Sequence, residues 1–410
     1  MLVGVFIFSP KVDGVACHLY VITQGKGDGM TTYTAPTAEQ LNTIIDSFHD
    51  YTKIPGVAIA IGWSLTGEQS AQDIHLRVNG ELYSLEGHQI KPTNHILFKL
   101  GSTSKLITAT AFAYACQDVD SPIHMESKLG EFIQFKGMMG DRLNNLLLKN
   151  LANYTSGLPT DNKDAPEGLH PPFEYNQIYS VHDMVKHLNG ADFELDPQGE
   201  IYHYSNLGFS LLAVAISRAY GTNGFNVWAR DYLFRNEVLE MKDSRYCPLY
   251  GEPWPDNYPL GYVYTQDGAE ALTAELSYDG QFGAYYGGGG VMSSPHDMMR
   301  WLNFNLGKLP EGPHFPSQAL LAALQNPSTN VRVNDKGYLC LGWFMSQDKS
   351  ELRKNGLLSG ANTAMVIATS PDAGNIPAPA GVYVLINMSG ANDLATSIAE
   401  GVLSVMKHST

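Results

Sequence analysis

Cysteine is scarce in this chain. The 410 residues hold four, Cys17, Cys116, Cys247 and Cys340, each far from the others. That spacing excludes the paired thiols of a zinc ribbon or a C-x-x-C redox centre, and it leaves disulfides open without suggesting any. Thirteen histidines include no H-E-x-x-H, so no metal and no cofactor is expected. Positive charge is also short: 26 Lys and Arg face 41 Asp and Glu, a net charge of −15. Nucleic acid and anionic membrane surfaces are therefore not the expected partners, whereas a small neutral or cationic molecule is compatible. No apolar run approaches the roughly 18 residues of a membrane span. Leu2–Phe8 is apolar but lacks a preceding base and a small-residue cleavage pattern, which reads as an intracellular, cytoplasmic chain. Gln24–Met30 is glycine-rich, and Met30 offers an alternative start. Repeats and low-complexity tracts are lacking.

What is present is an ordinary folded composition, 44% hydrophobic and 16% charged, long enough for two or three domains. Ala38–Tyr51 has helical apolar spacing behind a capping Thr37. Val57–Gly62 reads as a buried strand, and Ile74–Val78 and Glu81–Leu85 flank Asn79-Gly80, a strong hairpin signal. From Gly101 to about Gly290 helices alternate with long loops: Leu106–Cys116, Leu143–Leu151, Val181–Leu188 and Leu207–Tyr220. Strands return at Leu339–Phe344, Ala364–Ala368 and Val382–Asn387, before a final helix, Asp393–Val405. The expected fold is α+β, one antiparallel sheet completed by both ends of the chain and flanked by helices, with a mostly helical insert. Residues 1–35 read as an N-terminal extension, 36–100 with 290–410 as the sheet domain, and 101–289 as the helical domain. The tyrosine-rich stretch Tyr246–Tyr286 suits a lid or pocket wall, or equally aromatic packing.

Chemistry centres on Phe98–Thr108. Ser102 precedes Lys105 by three residues at the start of a predicted helix, so both side chains share a face near the positive end of the helix dipole. A serine hydroxyl becomes a nucleophile only beside a base, and a lysine serves as one only when burial or another cation lowers its pKa. Alone the pair more often describes a capping serine with a solvated lysine.

Two further segments change that reading: Tyr204-Ser205-Asn206 and Leu358-Ser359-Gly360-Ala361. With Ser102-Thr103-Ser104-Lys105 they resemble the serine β-lactamase and penicillin-binding-protein superfamily, in its class C and esterase branch. Tyr154–Pro159 and Tyr285–Arg300 are similar to further segments of that branch, and the resemblance spans about 38–405. It implies a β-lactamase-like fold with the active site between the two domains. Ser102 would be the nucleophile, with Lys105 and Tyr204 sharing proton transfer. Asn206 would orient Lys105 or bind a substrate carbonyl. Ser359, Gly360 and Ala361 would bind substrate, the N–H groups of Ser102 and Ala361 forming an oxyanion hole. Ser205 reads as structural, and Asp161 as a residue at the pocket mouth or simply a solvated acid.

One departure bears on specificity. The third motif of the family begins with Lys or His, where Leu358 stands here; a shifted alignment would aim Lys354 or Asn355 at the site instead. With leucine, the implied reaction is hydrolysis or acyl transfer through an acyl-Ser102 intermediate, on a small ester, thioester or uncharged amide. The alternative is a fold recruited to isomerisation, cyclisation, elimination or ligand binding. An α/β-hydrolase nucleophile elbow is excluded, since Gly62–Gly67 has its second glycine one place late. Oligomeric state is not legible.

Overall fold

A computed structural model gives the structure of the protein and describes residues 31–159, 180–190, 193–249, 251–265, 267–272, 283–333, 337–369, 378–391 and 393–409. The expectations for Leu2–Phe8, Met30 and Asp161, and part of the stretch 246–286, lie outside these residues.

In chain order the elements used below are β1 (Thr31–Tyr33), α1 (Ala38–Asp46), β2 (Ala58–Leu65), β3 (Gln72–Val78), β4 (Phe98–Lys99) and α2 (Ser104–Gln117). There follow α3 (Asn206–Ala219), β5 (Arg245–Tyr246), β6 (Val291–Ser293) and α4 (Pro295–Asn305). The chain ends with β7 (Gly337–Leu339), β8 (Phe344–Ser346), β9 (Glu351–Leu358), β10 (Ala361–Ala368), β11 (Ala380–Ile386), α5 (Leu394–Met406) and β12 (Lys407–Ser409).

The central sheet is antiparallel throughout, in the order β7-β8-β9-β10-β11-β2-β3. Its halves come from opposite ends of the chain and join where β2 pairs with β11, Ile61 opposite Val384. That is the sheet completed by both termini which the sequence implies. Strands β2, β10 and β11 are buried at every residue, so each carries apolar residues on both faces. Alternation sends Ile59, Ile61, Trp63 and Leu65 to one core, with Leu41 and Ile45 of α1 and Ile398, Val402 and Met406 of α5. Ala58 and Ala60 face the opposite core, which continues into the helical part of the molecule. There α2 is buried along nearly its whole length, its buried Lys105, Thr108 and Thr110 each hydrogen-bonded.

Local signals explain several boundaries. Thr37 and Gln40 form a capping box at the start of α1. Ser294 caps α4 by accepting from the Asp297 N–H at 3.1 Å, with Pro295 in the first turn.

Residues 31–33, at the end of the segment read as an N-terminal extension, form β1, which pairs antiparallel with β12. Two expectations need correction. Asn79-Gly80 turns the chain, with Gly80 at φ +73°, but the flanking segments do not pair with each other. β3 pairs with β2 over seven residues, a far longer ladder than the two-residue Leu82–Tyr83 strand offers, and that strand pairs with Gln89–Ile90. Leu339–Phe344 spans a turn between β7 and β8 rather than forming a strand.

A second sheet positions the candidate site. In it β6 lies between β4 and β5, antiparallel to both. Leu100 N–H donates to the Val291 carbonyl at 2.8 Å, fixing the chain where it leaves β4. The next residues, Gly101–Thr103, make a 3-10 turn into α2. Gly101 has φ +51°, and a Cβ there would stand 2.8–2.9 Å from Leu357 backbone atoms. Only glycine lets that turn close against the end of β9.

Candidate active site

Ser102 lies in this turn, held from both sides. Lys105, one turn further along and fully buried, brings Nζ to 3.2 Å from Ser102 Oγ. The same Nζ donates to Asn206 Oδ1 at 2.5 Å and to the Gly288 carbonyl. An ammonium has three donors, and these are three acceptors for it. Thr108, one turn along α2, donates to the neighbouring Gly287 carbonyl at 2.8 Å. The glycine run thus serves as backbone acceptors for α2. Bare backbone is needed here, since a Cβ on Gly287 would lie 2.2 Å from the Phe209 carbonyl oxygen.

Tyr204 arrives from the loop ahead of α3, and its hydroxyl donates to Ser102 Oγ at 2.6 Å. Ser205 is the N-cap of α3, accepting from the Gly208 N–H at 2.9 Å and donating to the Pro159 carbonyl at 2.7 Å. It is a structural residue, as its sequence position suggests. Tyr154, at φ +63°, stacks on the Tyr204 ring with centroids 5.6 Å apart and anchors its own hydroxyl on the Gly342 carbonyl at 2.7 Å. The Tyr154–Pro159 segment therefore supports the phenol from behind.

The structure brings Ser102, Lys105, Tyr204 and Asn206 into contact with one another, while Ser359, Gly360 and Ala361 lie at the β9–β10 turn. Leu358 and Ala361 close the β9–β10 hairpin around a two-residue turn, Ser359-Gly360. The Ser359 carbonyl accepts from Lys99 Nζ at 3.2 Å, and Gly360 N–H donates to Ser389 Oγ at 3.1 Å. The backbone against Gly101 is that of Leu357, on the first arm of the hairpin. A pair closing a two-residue turn is hydrogen-bonded, so the next pair, Leu357 with Asn362, is not. The Leu357 N–H then points away from β10, toward the side on which the Ser102 turn lies.

The cation missing at Leu358 is also on that first arm. Lys354 sits with Nζ 5.4 Å from the centroid of the Tyr204 ring, while Lys105 Nζ is 4.8 Å from it. Lys354 is buried, and its Nζ donates to the Asn355 carbonyl at 2.7 Å. Burial lowers its pKa from the ordinary 10.5 to about 7. Lys354-Asn355-Gly356, not Leu358-Ser359-Gly360, is thus the lysine-to-glycine segment facing the serine. Strand alternation was the available signal: Leu352, Lys354 and Gly356 share the inward phase of β9.

A family model for beta-lactamases matches residues 41–406. The chain belongs to the beta-lactamase family. Among curated proteins it is 28% identical over 223 residues to the D-alanyl-D-alanine-carboxypeptidase/endopeptidase AmpH of Escherichia coli K12, covering 53% of this chain and 50% of AmpH. It is 27% identical over 260 residues to a beta-lactamase of Yersinia enterocolitica, covering 62% of this chain and 57% of that protein. This member thus spans about half the length of the curated relatives it matches. The fold is that of a solved class C beta-lactamase (TM-score 0.66, 17% identity, 91% of this chain and 97% of that one). It is shared equally with a penicillin-binding protein from Bacillus halodurans (TM-score 0.65, 21% identity, 89% and 98%).

Proposed function

We propose that this β-lactamase-like serine hydrolase cleaves small esters or amides through an acyl-Ser102 intermediate. The observation that carries the reading is the Ser102 hydroxyl held between the Tyr204 phenol at 2.6 Å and the Lys105 amine at 3.2 Å. In the reactive state Tyr204 is the phenolate and accepts from the Ser102 hydroxyl, and as Oγ attacks the acyl carbon that proton passes to the Tyr204 oxygen. A phenol accepts that role only with cations nearby, and Lys105 and Lys354 both stand beside its ring. Asn206 and the Gly288 carbonyl hold the Lys105 ammonium in place. The N–H groups of Ser102 and Leu357 receive the developing oxyanion, each worth on the order of 10²–10³ in rate. The returning proton frees the leaving group, and water then releases the acyl chain.

Lys354 is buried and directed at Tyr204, which supports a role in tuning the phenol and keeps small uncharged esters as the first substrate class. A second reading has its own support. Lys354 restores a cation where Leu358 offered none, and curated relatives are named beta-lactamase and D-alanyl-D-alanine-carboxypeptidase. Under it, the preferred substrates are amides carrying a carboxylate. Recruitment to a non-hydrolytic reaction rested on Leu358, and loses that support.

The test is a fluorophosphonate probe with intact mass, run beside turnover of p-nitrophenyl acetate and nitrocefin. The expected result is one adduct, absent in Ser102→Ala, and a higher kcat/KM for the ester. An unlabelled folded enzyme, or labelling that persists in Ser102→Ala, overturns the acyl-serine reading. A clear preference for nitrocefin selects the second substrate class. Product partition toward an added alcohol acceptor would mark acyl transfer.

A further inference from the structure

We infer that His95, Asp243 and His296 form a binding site for a divalent transition-metal ion, zinc by its donor set, at one end of the small β4-β6-β5 sheet. Topology makes the meeting unavoidable. His95 stands three residues before β4 and Asp243 two before β5, while His296 stands three after β6. Because β6 runs antiparallel to both neighbours, the starts of β4 and β5 and the end of β6 share one edge of the sheet.

One ligand atom from each of the three residues lies within 4.8 Å of the others. His95 Nδ1 is 2.7 Å from Asp243 Oδ2, and the two imidazole rings are 5.0 Å apart. Tetrahedral zinc with nitrogen and oxygen donors near 2.0 Å needs ligand atoms about 3.3 Å apart. From a spread of up to 4.8 Å the widest pair closes by up to about 1.5 Å, while the 2.7 Å His95–Asp243 contact opens, and both histidine side chains are at least half exposed. Two imidazoles and one carboxylate suit zinc better than the oxygen-seeking magnesium or calcium. Water would complete the shell.

What lies behind the three residues is organised as for a ligand set. His296 Nδ1 is 3.2 Å from Asp297 Oδ1, the carboxylate contact that orients a ligating imidazole and leaves its other nitrogen for the ion. Asp297 is itself buried and fixed, accepting at Oδ2 from the Asp243 N–H, the Ser244 N–H and the Ser244 hydroxyl. Ser294 Oγ donates to Asp243 Oδ2 at 2.8 Å, and Asn257 donates to the His95 carbonyl. Asp243 and His296 are thus held through their side chains, and His95 through its backbone carbonyl. An ion here would clip the start of β4 to β6, the pair of strands that delivers Ser102. No spacing in the sequence joins residues 95, 243 and 296.

Zinc chloride titrated into the full chain, followed by calorimetry, is expected to show one ion per chain. Cobalt(II) should give a visible d–d band, and zinc should raise Tm. His95→Ala and His296→Ala, both at exposed positions, should each weaken binding at least about tenfold and together abolish the Tm shift. His88→Ala, another exposed histidine, should change neither. Absence of saturable zinc binding up to millimolar concentration overturns the proposal. So does binding that survives the double His95→Ala/His296→Ala variant. All three readouts are independent of turnover, so they stand or fall separately from the acyl-serine reading.

Discussion

Replacing Lys354 with methionine keeps its length and removes its charge. In the wild-type protein burial lowers the Lys354 pKa from 10.5 to about 7, while the unfolded chain keeps the ordinary value. Between these two pH values the unfolded state holds a proton that the native state has released, so native stability rises with pH across the window. A shift of about 3.5 units corresponds to about 5 kcal/mol between the plateau below pH 7 and the plateau above pH 10.5. Lys354→Met lacks this contribution, so the variant should gain on the wild type as pH falls. Urea unfolding at pH 6, 7, 8, 9 and 10 measures the difference directly. The stability of the variant minus that of the wild type should be larger at pH 6 than at pH 10 by several kcal/mol, with most of the change between pH 7 and 10. Activity supplies an independent readout. If the cation supports the Tyr204 phenolate, ester turnover in the variant should fall about 10–100-fold, within the usual range for lost proton-transfer assistance. The wild-type rate should carry a falling limb near pH 7 that the variant lacks. Parallel stability curves for the two proteins from pH 6 to 10 would refute the reasoning, for they would mean that Lys354 is not desolvated.

Other outcomes follow from the same geometry. Tyr204→Phe removes the hydroxyl 2.6 Å from Ser102 Oγ and should lower kcat by about 10²–10⁴-fold on p-nitrophenyl acetate, with Tm little changed. Gly101→Ala forces a Cβ to within 2.8 Å of the Leu357 carbonyl oxygen at φ +51°. It should cost about 1–3 kcal/mol by urea unfolding and reduce labelling of Ser102. Asn387 accepts from the Ala58 N–H at 2.7 Å and donates to the Gly56 and Leu260 carbonyls at 3.0 and 2.8 Å, all buried or half-buried. Asn387→Ala leaves those groups unpaired and should cost about 3 kcal/mol or more, seen as a lower urea midpoint.

Much of the arrangement was legible where the pattern was local. Ser102 and Lys105 are three residues apart, and Tyr204-Ser205-Asn206 stands out by its resemblance to a family motif just ahead of the apolar run that becomes α3. The sheet built from both ends followed from apolar strands at either extreme of the chain. Lys354 was harder, because a lysine in a strand reads as solvent-facing unless its phase is counted from Leu352, and its burial depends on Phe344 and Tyr204 from distant segments. Ala361 stands on the second arm of the hairpin, whereas the backbone against Gly101 is that of Leu357 on the first arm, a register that only the pairing resolves. Asn79-Gly80 misled for a related reason: a turn signal reports a reversal, not the strand that will be paired afterwards. His95, Asp243 and His296 carried no spacing signal, since strand order alone makes them neighbours.

The acceptor at Gly288 has a consequence for how this protein can vary. Residue 288 contributes to holding Lys105 through a carbonyl that every amino acid possesses, so its chemistry is indifferent to which residue is encoded there. Its place is not indifferent: a Cβ would meet the Asn206 carbonyl oxygen at 3.0 Å and the Asn206 Cβ at 3.2 Å. A position with no functional group is therefore constrained by the room it leaves, and sequence drift around the lysine is limited by what must stay empty.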